Sequence, residues 1–268
     1  MSQNIHSTAI ISKDSSIGDE CSIGPYAILE EGVKVGDKCQ IEAHVIIKKG
    51  TNLGNCVKVG HFSAIGGDPQ HLDFDDSIQS NVTIGDHVRI SEGVTVHRSI
   101  YQDGSTLIGS GSFLMGNSHV GHDGKLGKEV ILANGALLGG HVTVGDHTFV
   151  GGGAGVHQFS RIGNHVMVGG LAEISKDVPP CIIVAGRNQS CGLNFIGLKR
   201  KQISDTEIKA LKYVYKSILM KSGNPSDLAK NILNEDIVSS NNFAKQFAEF
   251  FFIGDRGFVR SRSATAKN

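Results

Sequence analysis

The sequence is poor in cysteine, carries no excess of charge of either sign, and has no long hydrophobic run. Each absence excludes something. The five cysteines, Cys21, Cys39, Cys56, Cys181 and Cys191, are odd in number and show no CxxC spacing. That argues against a disulfide framework or a zinc knuckle. Lys+Arg and Asp+Glu are both 26, so net charge singles out no class of partner, and no nucleic acid is expected. No stretch of about 18 apolar residues occurs, so no membrane span is expected. The opening "MSQNIHSTAI" has no basic stretch leading into an apolar core, so no signal peptide is expected. A reducing, cytoplasmic setting follows as the default. The 268 residues suffice for one large domain, or a large one and a small one. Charge is unevenly spread: residues 198–268 hold 13 Lys/Arg against 7 Asp/Glu. This excess suits an acidic partner or a phosphate ligand, and equally a set of solvated helix faces.

What the chain does have is a period of six. Stepping from Ile5 meets Ile11, Ile17, Ile23, Leu29, Val35, Ile41, Ile47, Leu53, Val59 and Ile65. The count slips there, then resumes at Ile78, Ile84, Ile90 and Val96. It misses at Gln102 and runs on from Ile108 to Ile174. Glycine often follows the aliphatic residue, as at Gly18, Gly36 and Gly121, and is read as permitting a turn through positive φ. Two residues before the aliphatic stands a small or β-branched one, such as Cys21, Ala27 or Val88. Residues two apart on a strand face the same way, so each hexad is a very short strand with one large and one small inward side chain. Cys21 and Cys39 fall in the small slot and read as core. Such a repeat predicts a parallel β-helix, with three hexads per triangular coil and about nine coils. The breaks at 66–77 and 97–107 read as loops.

The repeat ends at "SKDVPP", because Pro179 and Pro180 cannot continue a ladder. Residues 181–197 read as extended. "SDTE" at 204–207 is a capping box opening a helix. Asn224-Pro225 opens a second helix, and 240–252 reads as a third. The expected division is residues 1–190 for the repeat and 191–268 for a C-terminal helical domain.

The stretch "GNSHVGHDGKLG", Gly116 to Gly127, raises the question of chemistry. With one coil of three hexads as a ruler, His122 stacks on Gly140 and Gly140 on Gln158, while Asp123 stacks on His141. Gly121, Gly139 and His157 form the neighbouring column, and His119 faces outward just before Val120. A histidine followed by aspartate, facing a glycine with an unshielded N–H, suits a general base beside an oxyanion site. The same turn slot takes histidine elsewhere, at His44, His87, His147 and His165, so His141 alone reads more readily as structural than functional. A three-histidine metal site is the alternative, but the spacing of three with an adjoining Asp is not its usual form, and no metal is expected.

The segments "VTVHR" at 94–98, "SHVGHD" at 118–123, "ILANGALLGGHVTVGD" at 131–146, "GVHQFSRIGNHVMVGG" at 155–170, "DVPP" at 177–180 and "GLKRK" at 197–201 resemble the UDP-N-acetylglucosamine O-acyltransferase family over nearly the whole chain. The resemblance implies a mainly β fold: a left-handed parallel β-helix of hexapeptide repeats with a C-terminal α-helical domain. It implies a homotrimer with sites between subunits. It implies transfer of a long-chain (R)-3-hydroxyacyl group from acyl carrier protein to the 3-position of UDP-N-acetylglucosamine, the first step of lipid A biosynthesis, with no cofactor. By the same resemblance His122 is the general base, Asp123 orients it and Gly140 N–H holds the oxyanion. His119, His141, His157 and Gln158 contact substrate, Asn194 and Arg200 hold the nucleotide end, and Gly170 limits acyl length. Two departures stand out. The family's first loop usually reads Asp-Leu-Lys, where this chain has His71 and Asp73. Residues 185–194 are about one residue short and lack the usual histidine. A 3-amino sugar nucleotide acceptor, or a different hexapeptide-repeat acyltransferase, therefore stays open. The related N-acyltransferase with an extra N-terminal domain is disfavoured, because the repeat begins at Ile5.

Overall fold

The computed structural model describes residues 4–261; the outermost residues of both expected domains, 1–3 and 262–268, lie outside that range. From Asn4–Ile5 to Ile182–Ala185 the chain makes 27 short strands, all in parallel ladders. They fall on three faces of ten, nine and eight strands, which is nine coils of a parallel β-helix. Asn4 pairs with Ser22 and Ile131 with Phe149, three hexads on in each case. The aliphatic beat points inward, as expected. Ile47, Ile65, Leu114, Leu132 and Val150 are all fully buried, and so are the small partners Val45, Val130, Ala136 and Ala154. Removing each large side chain from water contributes roughly 1.5–3 kcal/mol, so the stacked columns are the core. Cys21 and Cys39 lie in it as expected, and burial pushes the Cys39 thiol up to about 11.

The role expected for the glycines after the aliphatic residues is corrected by the structure. Positive φ occurs two positions later, at Tyr26, His44, Asp123 and His141 among others, and not at Gly18, Gly24, Gly36 or Gly121. Those glycines are required by close approach. A Cβ on Gly24 would lie 2.8 Å from Ala43 N, and one on Gly121 2.7 Å from Gly140 N. The next coil's backbone passes where a side chain would be.

Both breaks leave from the same edge of the prism, between the second and third faces. Ile65 pairs with Val96, where an unbroken repeat would pair it with Thr83, so a long insertion leaves the coil. Val96 pairs with Val120, where an unbroken repeat would reach Leu114, so one further hexad leaves it. Ile78 and Gln102 both lie in these insertions and in no strand, so the beat at Ile78 and the miss at Gln102 are accidents of inserted length. Arg98 anchors the longer insertion from beneath. It is 2% exposed, donates from Nε to Asp68 (2.8 Å) and from Nη1 to Ser80 (3.1 Å), and lies 4.8 Å from the Phe74 ring.

Beyond Pro180 the chain forms an antiparallel hairpin, Ile182–Ala185 with Gln189–Leu193, which straddles the expected boundary at 190. Five α-helices follow among the described residues: α1 (Phe195–Arg200), α2 (Asp205–Leu219), α3 (Pro225–Ile232), α4 (Asp236–Ser239) and α5 (Asn242–Glu249), the last running into a single 3-10 turn, Phe250–Phe252. Ser204 and Glu207 form the expected capping box on α2, and Asn224 caps α3 with Pro225 in its first turn. The short helices α1 and α4 are not anticipated by the sequence pattern. Leu211, Val214 and Ile218 of α2 are buried with Phe247 and Ala248 of α5. Ser190 Oγ lies 3.0 Å from Tyr215 Oη, joining α2 to the hairpin. Arg260–Ser261 then adds a last strand beside Gln189–Ser190. No helix among the described residues is long and apolar enough to cross a membrane.

Candidate active site

The edge that releases both insertions also carries the turn between His119–Val120 and Lys125–Leu126, and His122 and Asp123 form that turn. Asp123 takes φ of 61°, which turns its carboxylate back onto its neighbour's ring. His122 Nδ1 is 2.9 Å from Asp123 Oδ2. A carboxylate only accepts, so Nδ1 must donate, and the neutral ring keeps Nε2 bare as a proton acceptor. Three groups hold the aspartate. Ser99 Oγ donates to Oδ1, Ile100 N–H donates to Oδ2 (3.2 Å), and Asp123 N–H donates to Thr106 Oγ1 (2.8 Å). His122 and Asp123 are each 8% exposed.

Gly140 lies against the bare nitrogen. A Cβ there would be 2.5 Å from His122 Nε2. Its N–H has no acceptor among the described residues. At equivalent positions on the third-to-first edge, this N–H is taken by a side chain one coil on: Asp37 by Asn55, Lys128 by Asp146, Asp146 by Asn164. Gln158 occupies that slot above Gly140 and makes no such bond. A free N–H beside a free base can stabilise developing negative charge on a carbonyl oxygen.

His141 packs edge-on to His122 with centroids 4.9 Å apart and stacks on Phe159 at 4.3 Å. His119 bonds Thr95 Oγ1 through Nδ1 (2.8 Å) and meets His97 edge-on at 4.9 Å. An open cleft of about 670 Å³ on the second face is lined by His119, Leu137, Gly139, Gly155 and His157. The structure thus gathers His119, His122, Asp123, Gly140, His141 and His157, with exposed Gln158 beside them. Asn194 and Arg200 lie elsewhere in the chain. Asn194 Oδ1 caps α1 and its Nδ2 donates to His165 O (2.9 Å), on the edge between the third and first faces. Arg200 is exposed at the end of α1, and its neighbour Lys201 pairs with Glu129. Gly170 stacks on Gly152 as the ruler predicts, 3.4 Å separating its Cβ position from Gly152 O.

Sequence reasoning missed Ser99, Thr106 and His97, and marked His71 only as a departure from the family's loop. Ser99 occupies the slot of Asp123 one coil earlier, but the inserted hexad lengthens their separation and hides the stacking. His71 lies on the longer insertion, outside any register, and sets its ring perpendicular to His122 at 6.0 Å.

Donor atoms of His122, Asp123 and His141 lie within 4.8 Å of one another, the only such group among the described residues that could hold a metal ion. The short His122–Asp123 hydrogen bond turns two of those donors toward each other.

Burial and the nearby imidazoles hold several of these histidines neutral. Burial pushes His97 down to about 4, with His119 and His122 adding to the effect, and lowers His119 and His141 as well. The sign for stability follows. Below the unfolded value of about 6.5, the unfolded chain binds a proton at residue 97 that the folded chain refuses. Stability therefore falls as pH drops through that value toward 4. The thermal midpoint should drop between pH 7.5 and 5, and His97→Gln should shrink the drop. An unchanged pH dependence in that variant would remove His97 from the cause.

Comparison with known proteins supplies the remaining findings. A family model described as UDP N-acetylglucosamine O-acyltransferase, domain 2, matches residues 177–259, and the bacterial transferase hexapeptide model matches 14–49. An acyl-[acyl-carrier-protein]--UDP-N-acetylglucosamine O-acyltransferase of Janthinobacterium sp. (strain Marseille) is 41% identical over 261 residues, covering 96% of this chain and 99% of that one. The structure of UDP-N-acetylglucosamine O-acyltransferase from Moraxella catarrhalis is 35% identical with a TM-score of 0.90, covering 96% of this chain and 99% of that chain. That of the Francisella novicida UDP-N-acetylglucosamine acyltransferase is 30% identical with a TM-score of 0.93, covering 98% and 96%.

Proposed function

This chain belongs to the UDP-N-acetylglucosamine O-acyltransferase family, a left-handed β-helical family of acyltransferases, and we propose that it moves an acyl group from acyl carrier protein to UDP-N-acetylglucosamine by direct transfer, with His122 as general base. The acyl group is a long-chain (R)-3-hydroxyacyl group, the acceptor is the sugar 3-hydroxyl, and the reaction opens lipid A biosynthesis in the cytoplasm. His122 Nε2 takes the hydroxyl proton, and the sugar oxygen attacks the thioester carbonyl carbon. Gly140 N–H receives the oxyanion. The C–S bond then breaks, and the carrier's sulfur leaves as a thiol with the proton from His122. Neither metal nor covalent enzyme intermediate enters the scheme. The observation that carries this reading is the pairing of a bare, Asp123-oriented Nε2 with the unengaged Gly140 N–H against which it packs.

His119, His141, His157 and Gln158 contact substrate in this reading, and Asn194 and Arg200 take the nucleotide end. The last two belong to a different edge from His122. A site using both sets is assembled from two copies of the chain, which supports a homotrimer. Outward residues of the first face, Phe113, Ile131, Phe149 and Met167, are apolar and suit such an interface. The basic helical segment suits an acidic carrier protein.

The decisive experiment supplies hydroxyacyl carrier protein with UDP-N-acetylglucosamine or its 3-amino analogue and weighs the products. An O-acyl product supports the reading. Acylation of the amino analogue alone would replace it with amide formation, and no product from either would overturn it. Acyl length is checked separately. The side-chain-free column of Gly152 and Gly170 suits an alkyl chain, and each buried methylene contributes about 0.8 kcal/mol. Gly170→Met should shift the preferred donor several carbons shorter, read by competition among donors of graded length. An unaltered length profile would mean that the chain does not pass Gly170.

A further inference from the structure

The segment after α5 makes a contact that this reaction scheme does not use. Asp177, wholly buried at the end of the repeat, fixes that segment on one side of Arg256. Its N–H donates to Gly257 O (2.8 Å), and its carbonyl accepts from Val259 N–H (3.0 Å). Arg161 secures the other side. It donates from Nε to Asp177 Oδ2 (2.8 Å) and from Nη2 to the carbonyls of Phe250 and Ile253. Held this way, Arg256 brings Nη2 to 2.9 Å from Nδ1 of His157. Its Nε is buried and has no acceptor among the described residues. A buried, unsatisfied guanidinium N–H costs free energy, so the placement is not explained by stability.

The chemistry of the two groups fixes the proton. A guanidinium has only donors and does not lose its charge. Facing Arg256, His157 Nδ1 must accept, so the neutral ring carries its proton on Nε2. A second neighbour asks for the opposite. The carbonyl of Gln158 lies 3.1 Å from the same Nδ1, and a carbonyl only accepts. Left with Gln158 alone, the ring would place its proton on Nδ1 and leave Nε2 bare. Arg256 therefore decides the tautomer. His157 lines the cleft on the second face with His119 and Gly139, and Nε2 is its nitrogen free for a ligand.

We infer that Arg256 is a positioning residue that selects the Nε2–H tautomer of His157, making this ring a hydrogen-bond donor to an uncharged oxygen of the bound substrates. The inference rests on the reading of the cleft as an acyl-transfer site, but its first test does not. Free protein labelled with ¹⁵N-histidine is examined by long-range ¹H–¹⁵N correlation at pH 8, with His157 assigned through His157→Gln. The parent should show a protonated Nε2; a protonated Nδ1 in the parent would overturn the inference without any variant. Arg256→Met should move the proton to Nδ1 and lower kcat/KM roughly tenfold, the scale of one lost hydrogen bond. Arg256→Lys, another donor-only cation, should restore the tautomer and most of the activity. In a His157→Gln background, Arg256→Met should cost nothing further. A tautomer unmoved by Arg256→Met sinks the proposal whatever the activity. A moved tautomer with unchanged kcat/KM removes its role in the reaction. If neither substrate pair reacts at all, the functional reading fails while the tautomer result stands.

Discussion

Replacing His122 by alanine should lower turnover by about 10²–10⁴, the usual contribution of a general base. The thermal midpoint should stay within about 4 °C of the parent. The two expectations separate because of where the residue lies. His122 is on a turn between faces, and its ring contributes nothing to the stacked aliphatic columns inside the prism. Its loss leaves Asp123 with Ser99 Oγ and the Ile100 N–H, so no buried carboxylate is stranded. The ring itself, by contrast, has one nitrogen committed to Asp123 and the other bare. Steady-state kinetics with both substrates saturating, beside a melting curve, is the measurement. Near-parental turnover would take His122 out of the mechanism. A fall accompanied by a collapse of the fold would leave the loss structural.

Gly140→Ala should be nearly as damaging, for a different reason. The backbone at 140 does not require glycine for its φ, and alanine keeps the N–H that the oxyanion would use. The added Cβ, however, would sit 2.5 Å from His122 Nε2 and 2.6 Å from Cε1. The imidazole must move, and it is boxed in by Asp123, His141 and His71. It can yield only by leaving Asp123 or the substrate position, so turnover should fall by about 10²–10³, within the range of a lost base. The obstacle is one side chain on a turn outside the core, so the melting curve should change little. Gly121→Ala, whose Cβ would meet the backbone of the next coil at 2.7 Å, should instead destabilise the prism. The double variant His122→Ala/Gly140→Ala tests the cause. If the methyl acts through the imidazole, the double variant should be no slower than His122→Ala alone. A further tenfold loss would show that the methyl obstructs the substrate itself.

The legible part of this site was the part in register. His122 on Gly140 and Asp123 by His141 follow from counting three hexads along an unbroken repeat, and the structure places them together. Wherever residues leave the coil, counting fails. Ser99 holds Asp123 from the equivalent position one coil earlier, yet an extra hexad of chain lies between them. His71 faces His122 from a loop with no register at all. Asn194 shows another limit. The resemblance to the family marked it as a nucleotide contact, but both ends of its amide are engaged in capping α1 and in holding His165 O.

By itself the sequence determined the period, the inward columns, the number of coils, the edge that carries the histidines and the capping of the longer helices. All of these rest on local spacing, because a very short strand fixes which side chains point inward and a repeat carries that choice along the chain. The tertiary structure alone decided how long each insertion is, what supports Asp123, and that Arg256 reaches His157 from far along the chain. It also decided why glycine follows the beat: close packing of the next coil, and not the freedom of its own φ. These are contacts between segments with no fixed separation, and no local spacing encodes them.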